Sequence, residues 1–283
     1  MGNFFPRWTN WLPLKIAISL VFIAVGVALG VTYYATPRYT RVGYQPTQPV
    51  PFSHKIHAGQ LGLDCRFCHS FGERSSFSNV PTNQTCANCH GQGKGQIKIN
   101  SPKLQPVRDA VESGKPIEWV EIHKLPDYAY FNHSAHLNRG VSCVSCHGRV
   151  DQMDVVYQHE PQSMGWCLDC HRNPEKNVRP LSEVANLAWK PENQDRTKFY
   201  KSLVAGLTDS KKDKLSEAEA IKVIAETVPM SGKTAQDLPT TIDALVKYAE
   251  TNIGPKVTQA EIGPQLKKHW QIAPPENCTA CHR

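Results

Sequence analysis

No basic stripe interleaved with aromatic side chains runs through the chain, which argues against nucleic acid as its partner. No strong charge imbalance is present either: the formal charge is +7 over 283 residues. That modest excess suits an anionic membrane surface or an acidic partner as well as a plain solvated surface. Charged residues are 20%, with 18 Gly and 21 Pro, so the composition is loop-rich and globular rather than disordered. No cysteine is left unpaired in the sequence pattern, so no lone reactive thiol is on offer.

The ten cysteines make five C-x-x-C pairs, each followed at once by histidine: Cys65-Arg-Phe-Cys68-His69, Cys86-Ala-Asn-Cys89-His90, Cys143-Val-Ser-Cys146-His147, Cys167-Leu-Asp-Cys170-His171 and Cys278-Thr-Ala-Cys281-His282. Structural zinc has no need of a histidine after every pair. Disulfides explain an even count but not the histidines. A thioredoxin-like redox motif would occur once, in a βαβ setting. The pattern is the attachment signature of c-type haem. Two thiols with two residues between them can each add to one vinyl group of a haem edge, and the next histidine is then placed to ligate the iron. Five covalent low-spin haems c are expected, held by Cys65, Cys68, Cys86, Cys89, Cys143, Cys146, Cys167, Cys170, Cys278 and Cys281. His69, His90, His147, His171 and His282 are the expected proximal ligands.

Residues 16–36 hold no charge and match the hydrocarbon thickness of a bilayer. Trp8, Trp11, Tyr33 and Tyr34 flank the run as interfacial aromatics. Arg7 and Lys15 precede it while Arg38 and Arg41 follow, so charge alone does not orient it. Haem attachment occurs outside the cytoplasm, which puts residues 1–15 inside and the rest on the periplasmic side of the cytoplasmic membrane. A cleaved signal peptide would show a shorter run and a small-residue cleavage site, so a retained single-pass anchor is expected.

A Pro-rich linker, 37–51, precedes a pattern that occurs twice. Phe52-Ser53-His54-Lys55-Ile56-His57 leads to the motifs at Cys65 and Cys86; Phe131-Asn132-His133-Ser134-Ala135-His136 leads to those at Cys143 and Cys167. Histidines three apart share one face of a helical turn, so His54, His57, His133 and His136 are read as distal iron ligands. The fifth distal ligand stays open among Met164, Met153, His159, His123, His269 and Met230. The expected organisation is two two-haem modules (52–110 and 111–180), a helical insertion (181–270) and the last attachment segment (271–283). In the insertion, Ser216 to Glu219 reads as a capping box ahead of an apolar run ending before Pro229, and Thr241 to Thr251 reads as a second helix. The fold class is mostly α and irregular, with haem faces supplying apolar surface that a core would otherwise supply.

The paired motifs behind each F-x-H-x-x-H unit resemble the class III multihaem cytochromes c. One anchor, five motifs, the run Trp119 to His136 and the run Ser163-Met164-Gly165-Trp166-Cys167-Leu168-Asp169-Cys170-His171-Arg172 are similar to the pentahaem subunit of alternative complex III. The likeness covers residues 1–190 and the last motif. It implies a role in bacterial respiratory or photosynthetic chains: integral membrane partners oxidise quinol, and iron–sulfur and haem centres pass electrons to a soluble cytochrome, a copper protein or a terminal oxidase. On that reading the chain transfers electrons and is no enzyme on its own. Alternatives are a quinol dehydrogenase feeding a periplasmic reductase, disfavoured by the long gap between span and Cys65, and a haem reductase, which needs an open iron position.

Overall fold

The computed structural model describes residues 6–35, 41–93, 95–208, 215–226, 228 and 238–282. Met230 lies outside them. The chain is helical and irregular; among the described residues its only β pairings are isolated bridges, Ala129 with His282 and Val141 with Val178.

Helix α1, Leu12–Ala35, is apolar all round. It is the one described helix long and apolar enough to cross a membrane, and none of its apolar window is buried. Such a helix satisfies every backbone group internally while exposing hydrocarbon on all faces. The segment after it docks on the loop that follows the third motif. Gly43 N donates to Gln158 O (2.8 Å), Gln158 N to Tyr44 O (3.1 Å) and Gln45 Nε2 to Val155 O (2.8 Å).

Between residues 41 and 177 the buried apolar side chains are few: Val50, Ala87, Val107, Ala110 and Met153. The short helices there are α2 (Asn83–His90), α3 (Gln105–Ser113) and α4 (Met164–Arg172), beside single helical turns at the other motifs. The core lies instead in one cluster from Val178 to Leu266. Helices α5 (Arg196–Thr208), α6 (Glu217–Ala225), α7 (Ile242–Ile253) and α8 (Gln259–His269) build it. Tyr200, Ile221, Leu245 and Ile262 are fully buried, each contributing about 1.5–3 kcal/mol of transfer free energy. The expected capping box at α6 is present, with Ser216 and Glu219 bonded reciprocally, and Thr241 caps α7.

Helices α5 and α8 were not legible as such. A buried ion pair joins them: Arg196 Nε and Nη2 each lie 2.8 Å from Glu261 carboxylate oxygens, and Tyr200 OH donates to Glu261 Oε1 at 2.6 Å. Arg196 also donates to the Gly254 and Lys256 carbonyls. Helix α8 rests on the turn Pro174–Lys176; a Cβ at Gly263 would run into the Glu175 carbonyl.

Candidate haem-attachment site

Each motif lies on a helical turn, which puts the two cysteines, three apart, on one face with the histidine next to them. Four of the turns start from a side-chain cap. Asp64 accepts from Arg66 N, Ser142 from Val144 N, Ser163 from Trp166 N and Asn277 from Ala280 N. The caps pre-form the turn on which the spacing depends. None of the ten cysteines forms a disulfide. Among the described residues, no three His, Cys, Asp or Glu side chains converge as a zinc site requires.

The two hexapeptides arrange their rings alike, although the first runs into a π-helix, Lys55–Gln60, and the second into an α-helical turn, His133–Leu137. Phe52 meets His54 edge-on at 4.8 Å and stacks on His57 at 4.3 Å; Phe131 meets His133 edge-on at 4.7 Å and stacks on His136 at 4.5 Å. Phenylalanine, the first residue of each repeat, is thus the wedge against which both rings pack.

Six rings are held through Nδ1 at a backbone carbonyl: His57 at Ser53 (2.8 Å), His69 at Asn79 (2.7 Å), His90 at Ile97 (2.7 Å), His136 at Asn132 (2.7 Å), His171 at Pro275 (2.6 Å) and His282 at Tyr128 (3.3 Å). His133 Nδ1 lies 3.1 Å from Ser76 O, the shorter of two contacts, with Ser78 N at 3.3 Å. A carbonyl only accepts, so Nδ1 carries the proton and Nε2 keeps a lone pair for a metal. Burial, aided by neighbouring imidazoles, favours the neutral ring at His54, His136 and His147. His54 is lowered to about 4 by burial, then by His69 and His57; His147 is lowered to about 3 by burial, then by His123, His133, His69 and His54.

Two ring pairs carry the test of fit. His57 and His90 have centres 6.2 Å apart, as do His136 and His171. Two imidazoles bonded through Nε2 at about 2 Å to one metal ion stand about 6 Å apart between centres. In both repeats of the pattern, then, the second histidine of the hexapeptide lies beside the histidine of the second motif that follows it. Large apolar side chains stand exposed around the motifs, among them Phe67, Phe71, Phe77 and Tyr128. Such surface suits a porphyrin face. The residues fit haem.

The candidates for the fifth distal ligand separate. His123 lies among the motif histidines: its ring is 4.4 Å from His147, edge-on, and its Nε2 is buried without a partner. That spacing is too short for the two to flank one iron. Met153 is buried, and its carbonyl accepts from Lys55 N. Met164 is exposed at the start of α4. His159 lies over Gly148, with Nε2 3.6 Å from Glu160. His269 belongs to the insertion, its ring over Gly206 in α5.

No family model matches the chain. A curated protein of Nitratidesulfovibrio vulgaris, the multihaem cytochrome c subunit of menaquinone reductase, is 30% identical over 172 residues, covering 54% of this chain and 80% of the relative. The attachment motifs, the paired imidazoles and this relative agree, and the chain belongs to the multihaem cytochrome c family that the menaquinone reductase subunit represents.

Proposed function

We propose that the chain is a membrane-anchored pentahaem cytochrome c of a quinone-linked complex. On this reading α1 holds it in the cytoplasmic membrane and the haem region lies on the periplasmic side. The observation that carries it is the pair of 6.2 Å imidazole couples, His57 with His90 and His136 with His171. Haem, once attached, supplies one-electron exchange between ferric and ferrous iron. The chain supplies the rest. The ten cysteines would fix the groups, His57 and His136 would complete the sites at His90 and His171, and His54, His133 and His123 are the distal ligands proposed for the remaining three.

In the alternative complex III setting, quinol-oxidising membrane subunits and an iron–sulfur protein deliver electrons, and a soluble cytochrome, a copper protein or a terminal oxidase receives them. The name of the N. vulgaris relative, a menaquinone reductase subunit, favours a second reading with the flow reversed, into menaquinone. Purification in mild detergent with identification of the accompanying chains tests the complex. Isolation as a lone subunit would sink both readings. Stopped-flow mixing of the oxidised complex with a menaquinol analogue decides the direction: prompt haem reduction supports quinol oxidation.

A further inference from the structure

Resting on the five-haem reading, we propose that the attachment motifs stand in one unbranched row, in the order Cys86–His90, Cys65–His69, Cys143–His147, Cys167–His171, Cys278–His282. The second and fifth motifs are then its ends.

The centre of the row is a shared seat. Cys65 Sγ reaches the Ala185 carbonyl (3.8 Å), and Ser142, the cap of the third motif, donates to the adjacent Val184 carbonyl (2.6 Å). The backbone locks the same two motifs face to face. His133 N and Ser134 N donate to Ser76 and Ser75, in the loop after the first motif. Lys55 N donates to Met153, in the loop after the third, and a Cβ at Gly59 would run into the Asp151 carbonyl there.

From this centre the row extends both ways. Asn79 accepts from His69 and donates to Cys68 O (3.2 Å), and α2 with the second motif starts four residues on. On the other side, Arg179 N donates to Gly140 O (2.9 Å) and Val141 bridges Val178, which ties the lead-in of the third motif to the segment after the fourth, and Asn177 Nδ2 of that segment donates to Cys170 Sγ (3.4 Å). The fourth and fifth motifs are tied by His171 Nδ1 to Pro275 O and Arg172 to Glu276 (3.4 Å). Cys278 is exposed while the other nine are half-buried, as befits an end.

The chain order of the motifs is therefore not their order in space. Along the row each hop oxidises one ferrous centre and reduces the adjacent ferric one, and no atom or proton is transferred. A donor and an acceptor would dock at the second and fifth motifs, and neither would dock at the first.

The test uses the holoprotein with Asn100→Cys, an exposed site near Ile97, whose carbonyl holds His90. Haem consumes all ten native thiols, so a ruthenium photoreductant with a sacrificial amine donor labels the new one alone. All five haems should be reduced in the fast phase. With Cys65→Ala and Cys68→Ala, only one of the remaining four should be. With Cys143→Ala and Cys146→Ala it should be two of four, and with Cys278→Ala and Cys281→Ala all four. Fast reduction of all four after loss of the first or third motif overturns the order. A nitroxide at the same position gives a readout that needs no interior haem removed. Dipolar EPR should give five label–iron distances, and the fifth-motif variant should lose the longest; loss of a shorter one overturns the row. Intact mass keeps the two ideas apart: fewer than five haems on the unsubstituted chain overturns the pentahaem reading and the row with it, while full loading with wrong extents overturns the row alone.

Discussion

At the scale of single residues, seven imidazoles of the site have Nδ1 committed to a backbone carbonyl. His57 and His136 are held both by a carbonyl and by a stacked phenylalanine. Replacing either by alanine should leave haem content unchanged and turn one haem equivalent high-spin in the EPR spectrum; an unchanged spectrum would remove that histidine from the iron. His123→Ala should do the same for one haem, whereas His269→Ala should leave every haem signal in place and lower only thermal stability. The motif histidines and the hexapeptides were legible because covalent attachment and shared helix faces dictate spacing along the chain. The place of His123 was not, because it reaches His147 only through tertiary structure.

At the scale of elements, the caps and the buried ion pair do most to set local stability. Ser142→Ala removes the cap of the third motif, about 1 kcal/mol. It also strips the Val184 carbonyl of its buried donor, about 1–3 kcal/mol more. A drop in melting temperature together with incomplete loading at Cys143 and Cys146 is expected. Glu261→Gln leaves Arg196 buried without a counter-charge and should cost about 3–5 kcal/mol, measured by denaturant unfolding of the α5–α8 signal. Tyr200 is raised by burial and then by its bond to Glu261. Its folded value exceeds its unfolded one, so the unfolded state loses its proton first and stability falls as pH climbs above 10. Tyr200→Phe should abolish that alkaline loss in a pH series of melting curves. Helices α6 and α7 were readable from capping residues and apolar spacing. Helices α5 and α8 were not, because their contact is made by residues that normally mark a surface, Arg196 and Glu261, and because Pro264 lies inside α8.

At the scale of the whole molecule, two stretches fold by different means. Residues 178–266 bury a hydrocarbon core, while the motif-bearing stretch before them buries little and depends on haem for apolar contact. The full chain made without haem attachment should yield, on limited proteolysis, a resistant fragment from the α5–α8 region and rapid digestion of residues 41–177. Equal resistance of both would contradict this.

The core of the insertion also has a consequence for maturation. The fourth and fifth motifs are separated by 106 residues, and closing so long a loop costs about 4 kcal/mol of chain entropy. Once α5–α8 form, Gln259 is bound to the Val178 carbonyl and the Trp270 carbonyl accepts from Arg139, so only a short tether is left to close. The closure cost falls by about 2 kcal/mol, a rise of roughly thirty-fold in local concentration. The helical core thus acts as a clasp that shortens the tether carrying the last cysteines, and haem loading at Cys278 and Cys281 is expected to fall when that core is loosened.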